Sequence, residues 1–211
     1  MIGLIITAAG KATRFGSDKT CYKINNHPVF AQVLTVFSKI IGITQCCVVC
    51  NNNNISIIKS YVDCYEWPFK INLTIGGDTR FESVKNGFTT LKACKKILIH
   101  DVARPFICAN LINKIIKDSD KHVAVIPGIY IADTIKECDS NGLVKKTLNR
   151  DDLRAIQTPQ CFHYDKFKEA IKDFNNVNIT DESQLFEFKN IPVHITNGDP
   201  KNIKITWKTD L

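Results

Sequence analysis

Short apolar runs alternate with amphipathic ones along most of this 211-residue chain, and that alternation constrains the fold more than any other feature. The runs at Ile2–Thr7 and at residues 46–50, 71–75, 96–100 and 123–127 are β-rich and almost continuously apolar, as strands buried on both faces are. Between them, Phe30, Val33, Leu34 and Phe37 fall at i, i+3, i+4 and i+7 on one helical face; Val84, Phe88 and Leu91 do so less regularly. Strands and helices in turn predict an α/β fold, Rossmann-like, with a mostly parallel sheet covered by helices on both faces. In such a sheet ligands bind beyond the carboxyl ends of the strands. Residues 8–19, 76–83 and 101–105 each follow a strand, so all three segments are expected on one rim.

Between about residues 131 and 155 the pattern breaks. Asp139-Ser140-Asn141-Gly142 is a turn signal between two short strand-like stretches, and it predicts a protruding β-hairpin arm. Such an arm is either a surface excursion or a dimerisation element. No linker or repeat marks a second domain, and the one low-complexity stretch is the short run Asn51-Asn52-Asn53-Asn54. Residues 1–211 are therefore expected to form one domain.

A hydrophobic content of 44% with 23% charged residues is that of a soluble globular protein. No apolar run approaches the ~20 residues of a membrane span. Met1-Ile2-Gly3 leads straight into an apolar strand with no basic stretch before it, unlike a signal peptide. Nine cysteines, an odd number without regular spacing, point to reduced thiols and a cytoplasmic location. Cys47-Val48-Val49-Cys50 lies inside a β-branched apolar run with no second pair to complete a zinc site, so it reads as buried strand. The formal charge of +7 is scattered, without a basic block or interleaved aromatics, which favours small anionic ligands over nucleic acid.

One such ligand site is legible after the first strand. Ala8, Ala9 and Gly10 carry little or no side chain, so a ligand can approach their backbone amides. Arg14, a planar fork, and Lys19, a point charge, can reach the same phosphates. The stretch reads as a loop for a nucleoside triphosphate; the plainer alternative is a glycine turn with two solvated cations. A dinucleotide fingerprint is disfavoured because Ala12 stands at the second glycine. A Walker loop is excluded because Gly16 is followed by Ser17-Asp18, and Lys19-Thr20 come too late.

Further along, Gly77, Asp78 and Ser83 offer amides and a hydroxyl for a base or ribose, or else form an ordinary βα turn. In His100-Asp101-Val102-Ala103-Arg104-Pro105, Asp101 suits Mg²⁺ or a hydroxyl and Arg104 a phosphate; a structural Asp–Arg pair is the alternative. Thr134, Arg150, Thr180 and Lys204 each read singly as capping or surface residues, with Thr180 an N-cap for a helix starting at Asp181.

In order, the chain carries A-A-G-x-x-x-R, Lys19, G-G-x-x-R-x-x-S-V, H-D-x-A-R-P, D-T-I-K, the Arg150 region leading into Gln157-Thr158-Pro159-Gln160, T-D-E and N-I-K-I-T. Over nearly its whole length this set resembles the 2-C-methyl-D-erythritol 4-phosphate cytidylyltransferase family of the non-mevalonate isoprenoid pathway. Ribitol-5-phosphate cytidylyltransferases share much of it; Thr180-Asp181-Glu182-Ser183 inclines the reading toward methylerythritol. A catalytically silent nucleotide-binding homologue is the further alternative, and Arg14 with Lys19 argues against it.

The resemblance implies attack of the polyol phosphate on the α-phosphorus of CTP, a divalent cation such as Mg²⁺, and a homodimer whose arm covers the partner's site. It makes Arg14, Lys19, Arg150 and Lys204 catalytic. Ala8, Ala9, Gly10, Gly77, Asp78 and Ser83 join Arg14 and Lys19 around the nucleotide. Asp101, Arg104, Thr134 and Thr180, with Arg150 and Lys204, take the second substrate. Asp101 is the one named protein ligand for the metal. A phosphate monoester is largely dianionic at pH 7, its second pKa being ~6, so no general base is needed, and no nucleophilic triad is visible. The chain departs from the family pattern at Ala12, usually glycine, and at Asp18, often proline. It ends at Asp210-Leu211, where relatives usually continue into a helix.

Overall fold

The computed structural model describes residues 1–10, 15–16, 18–172, 174 and 179–211. Its strands in chain order are β1 (Ile2–Thr7), β2 (Lys23–Ile24), β3 (His27–Pro28), β4 (Ile43–Cys50), β5 (Lys70–Ile75) and β6 (Lys96–Asp101). They continue as β7 (Ala124–Tyr130), β8 (Lys136–Cys138), β9 (Val144–Thr147), β10 (Arg154–Ile156), β11 (Gln160–His163) and β12 (His194–Asn197). The helices are α1 (Val29–Phe37), α2 (Ile55–Asp63), α3 (Arg80–Thr89), α4 (Ala109–Asp118), α5 (Tyr164–Lys172) and the short α6 (Gln184–Glu187).

The expected α/β architecture is present. β5, β4, β1 and β6 form a parallel block with β1 inside it. β11 runs antiparallel between β6 and β7, β10 pairs antiparallel with β7, and β12 lies parallel to β7. The apolar runs are continuous because the sheet is covered twice. Leu4, Ile6, Cys46, Val48 and Leu98 face the layer of α1, α2 and α4. Ile5, Cys47, Val49, Ile97 and Ile99 face α3, α5 and α6. This period of two also puts Cys47 and Cys50 on opposite faces, so the pair cannot converge on one ion. Burial pushes the Cys50 thiol up to about 12, and all nine cysteines are free. No helix of the described residues is long and apolar enough to cross a membrane.

Several local expectations shift. Strand β4 begins at Ile43 rather than residue 46, and β7 extends to Tyr130. Helix α3 ends at Thr89, so Leu91 packs in the core from beyond the helix. The helix expected at Asp181 begins at Gln184 with Ser183, not Thr180, in the N-cap position. The arm is as expected: β8 and β9 pair antiparallel with exposed side chains. Asp139 Oδ1 accepts from the amides of Asn141 and Leu143 across the turn, and Gly142 takes φ +81°.

Strand order makes the site. From β1 the chain steps outward to β4 and β5, then crosses back so that β6 lies on the other flank of β1. That reversal opens a crevice beyond β1 and β6, where Thr7 pairs with Asp101. Behind the crevice, residues 198–206 are strapped to the sheet. Gln157 Nε2 donates to the Asp199 carbonyl (2.8 Å), Asn202 Nδ2 to the Thr158 carbonyl (2.9 Å), and Arg104 Nη1 to the Asn202 carbonyl (2.8 Å). His100 completes the lock. The Arg104 carbonyl can only accept, so the imidazole proton sits on Nε2 (3.2 Å), and Nδ1 accepts from the Thr158 hydroxyl (3.1 Å). Burial pushes the His100 imidazole down to about 4.

The unfolded chain protonates His100 near 6.5, whereas the folded chain resists to about 4. Between those values the unfolded state holds the extra proton. Stability in urea is therefore expected to fall as pH drops from 6.5 toward 4, by up to about 1.4 kcal/mol per unit from this group, with no contribution above 7. His100→Gln flattens that part of the slope. A second prediction concerns Gly87 in α3, where an added Cβ would lie 2.8 Å from Val49 Cγ2 and 2.9 Å from Ile5 Cγ2. Gly87→Ala gains about 1 kcal/mol of helix propensity but overpacks a close helix–sheet contact at about 1–3 kcal/mol. A net loss in the urea midpoint is expected.

Candidate active site

The crevice is a cleft of about 280 Å³ walled by three loops and the strap. The end of β1 supplies Thr7, Ala9 and Gly10; the turn before α3 supplies Gly77 and Asp78, and the first turn of α3 Ser83; the end of β6 supplies Asp101; the strap supplies Lys204 and Thr206. Lys19 faces them, its Nζ donating to the Ile205 carbonyl at 3.0 Å.

The first wall is held from behind by Asn54, which is fully buried. Its Nδ2 donates to the Ala8 carbonyl (2.9 Å) and to Asp18 Oδ2 (3.0 Å), while Asp18 Oδ1 accepts from the Thr20 amide (2.9 Å). Asp18, the departure from the family pattern, thus clamps the chain on both sides of Lys19. The asparagine run read as low complexity contains the clamp.

The second wall is a capping box. Thr79 Oγ1 accepts from the Glu82 amide (3.1 Å), and Glu82 Oε2 accepts from the amides of Thr79 (3.1 Å) and Asp78 (2.8 Å). Ser83 Oγ accepts from the Gly77 amide (3.2 Å) and donates to the Thr79 carbonyl (3.0 Å). The amides expected to read a base are engaged here, so the turn meets a ligand as a rigid, preformed edge. A side chain at Gly76 would put Cβ 2.5 Å from both Ala9 Cβ and Ser83 Oγ, which is why glycine joins the first two walls.

Beneath the opening lies a chain of alternating charge. Asp101 Oδ1 accepts from Arg80 Nε (3.0 Å) and the Thr7 hydroxyl (3.2 Å), and Lys204 Nζ donates to Asp101 Oδ2 at 2.6 Å. Arg80 Nη1 in turn donates to Glu182 Oε1 at 2.5 Å. Burial alone would push the Asp101 carboxyl up, but Arg80 and Lys204 hold it well below the usual carboxylate range. Burial likewise opposes the Arg80 charge, and Asp101 and Glu182 more than restore it. Neither Arg80 nor Glu182 carried a role in the sequence reading, although both stood inside quoted motifs.

Of the expected site residues, Ala9, Gly10, Lys19, Gly77, Asp78, Ser83, Asp101 and Lys204 line one cleft. Ala8 lies buried beneath it. Arg104 does not line it; its guanidinium braces the carbonyls of Asn202 and Ile156 behind the wall. Thr134 and Arg150 are exposed at the base of the arm, where Arg150 Nη1 donates to the Ala132 carbonyl. Thr180 is exposed and bonded to Gln184. Arg14 lies outside the described residues. Asp101 does not fit the expected metal ligand in this arrangement, because both of its oxygens are taken by cationic donors. No cluster of three or more metal-binding side chains occurs among the described residues.

Comparison with known proteins places this geometry. The family model for 2-C-methyl-D-erythritol 4-phosphate cytidylyltransferase (IspD) matches residues 2–211. The 2-C-methyl-D-erythritol 4-phosphate cytidylyltransferase of Clostridium tetani is 38% identical over 98% of this chain and 86% of its own length. The crystal structure of 4-diphosphocytidyl-2C-methyl-D-erythritol synthase from Anaerococcus prevotii superposes with a TM-score of 0.87 at 32% identity, covering 99% of this chain and 94% of that one. The bifunctional IspDF from Campylobacter jejuni matches all of this chain with 53% of its own, at a TM-score of 0.82 and 26% identity. On a full-length match of sequence and fold, the chain belongs to the 2-C-methyl-D-erythritol 4-phosphate cytidylyltransferase family.

Proposed function

We propose that this chain transfers the cytidylyl group of CTP to 2-C-methyl-D-erythritol 4-phosphate, releasing pyrophosphate. The observation that carries the reading is one cleft lined by Lys19, Arg80 and Lys204, at the strand-order reversal where α/β sheets bind nucleotides. An oxygen of the phosphate monoester forms a bond to the α-phosphorus while the bond from that phosphorus to the bridging oxygen breaks. Pyrophosphate leaves with the electron pair. No proton has to move, so the task is to bring two polyanions together and stabilise charge at phosphorus.

Lys19 and Arg14 serve the α-phosphate; Lys204, with Arg150 and Thr180, serves the attacking phosphate. The edge formed by Ala9, Gly10, Gly77, Asp78 and Ser83 receives the nucleoside, with Ala8 buried beneath it as support. Thr134 addresses the polyol, joined by Asp101 once Lys204 turns from it to the phosphate, and Arg104 acts by holding the strap that presents Lys204. A divalent cation, when bound, neutralises triphosphate oxygens; the engagement of Asp101 by Arg80 and Lys204 supports a cation carried by the nucleotide. Arg150, exposed at the base of the arm and outside the cleft lining, serves the site of a second copy in a homodimer built on the arm, a single domain contributing each half. Leu143 at 67% and Val144 at 60% exposure on the arm support that assembly.

The test is pyrophosphate release from CTP and Mg²⁺ with methylerythritol 4-phosphate, run beside ribitol 5-phosphate. Release with the first substrate alone is expected; release with ribitol 5-phosphate alone, or with neither, overturns the reading. Lys19→Ala is expected to lower kcat by about 10²–10³-fold with the thermal midpoint nearly unchanged, as for loss of one transition-state donor. Turnover close to that of the unaltered chain would remove Lys19 from the chemistry.

A further inference from the structure

Glu182 has no role in the mechanism above, yet it terminates the chain of charges beneath the cleft. The four groups grade outward. Side-chain exposure rises from 1% at Glu182 and 9% at Asp101 to 24% at Arg80 and 42% at Lys204. The grading of contacts runs the same way. Arg80 is held by two carboxylates, through Nη1 to Glu182 and through Nε and Nη2 to Asp101. Lys204 is held on the Asp101 side by one oxygen at the end of a flexible stem. With all four groups ionised the set is neutral.

An anion entering the cleft competes for whichever cation is bound least firmly. Both Arg80 and Lys204 line the cleft, so both are within reach. As built, Lys204 is the one that exchanges: it trades a single carboxylate oxygen for phosphate oxygens, and Asp101 stays compensated because Arg80 remains in place. Without the charge on Glu182 that order is lost. Arg80 then has one carboxylate partner, as Lys204 has, and the incoming anion draws either. If Arg80 leaves, the buried Asp101 carboxylate must keep Lys204, because a buried charge without a counter-charge is strongly unfavourable.

We propose that Glu182 is a positioning residue for the half of the site that takes the phosphate monoester. By fixing Arg80 on Asp101, it makes Lys204 the cation released to the attacking phosphate. The proposal rests on the cytidylyltransferase reading of the cleft.

The experiment is steady-state kinetics with CTP and methylerythritol 4-phosphate on the unaltered chain, Glu182→Gln, Arg80→Gln and the double variant. Glu182→Gln keeps the shape and removes the charge. KM for the polyol phosphate is expected to rise about tenfold or more while KM for CTP stays within about twofold, the signature of damage confined to one substrate. Because Glu182 acts through Arg80, the double variant should be no worse than Arg80→Gln alone. Glu182→Asp, with the charge retained one methylene short, should recover part of the loss; if the glutamine variant does not fold, the aspartate variant is judged by the same KM split. An unchanged KM, a parallel rise for both substrates, or additive effects in the double variant would overturn the proposal. An unaltered chain inert toward the polyol phosphate is a separate result: it overturns the functional reading, and this role with it.

Discussion

The rest of the site depends on the burial of the Asp101 carboxylate between two cations. A carboxylate taken out of water loses several kcal/mol of hydration, and only well-placed opposite charge and hydrogen bonds make up the loss. Asp101 stands at the carboxyl end of β6, paired with Thr7 at the end of β1, so its surroundings are set by the centre of the sheet. Three further segments must come to it. The start of α3 brings Arg80, the turn before α6 brings Glu182, and the strap brings Lys204. Each is a loop or element end anchored nearby by a buried apolar side chain, Phe81, Leu185 and Ile205 respectively, while the charged neighbour turns toward Asp101. The carboxylate organises them, so the integrity of the cleft and the pairing of this one charge are the same matter.

A reaction that moves no proton asks for a different kind of precision from acid–base catalysis. What has to be exact is the position of positive charge relative to two ligands that repel each other. The chain meets that need with rigid supports placed one layer behind the ligand: the Asn54–Asp18 clamp behind Lys19, the Thr79–Glu82 box behind the nucleoside edge, and Arg104, Gln157 and Asn202 behind Lys204. His100 belongs with them. Its neutral tautomer is fixed by a carbonyl on one side and a hydroxyl on the other, which removes it from proton transfer and makes it part of the frame.

The parallel block was legible because its strands are buried on both faces and so read as unbroken apolar runs; Leu4 to Ile6 and Ile97 to Ile99 show this directly. The arm was legible because an Asn-Gly turn needs its own chemistry, and Gly142 supplies the positive φ. Strands β10 and β12 were not, since three or four residues of mixed polarity carry no usable period. In the site, the loops were found from local composition: small residues after a strand, then cations. The network beneath them was not, because Arg80, Glu182 and Lys204 lie 21, 81 and 103 residues from Asp101, and local sequence patterns do not report a pairing at that range. Asn54 was hidden for another reason. Its neighbours are also asparagines, and nothing in the run distinguishes the fully buried one from the others.

The nine thiols carry a practical consequence. Burial of Cys46, Cys47, Cys50 and Cys161 keeps them protonated at neutral pH and shields them from reagents in solution. Cys64, capping α2, and Cys138, on the arm, are exposed. Nature has left a labelling handle at the end of β8, on the element that the assembly question turns on. A fluorophore or spin label on Cys138 in the unmodified sequence would report the surroundings of the arm, with Cys64 as a reference position on the body of the fold.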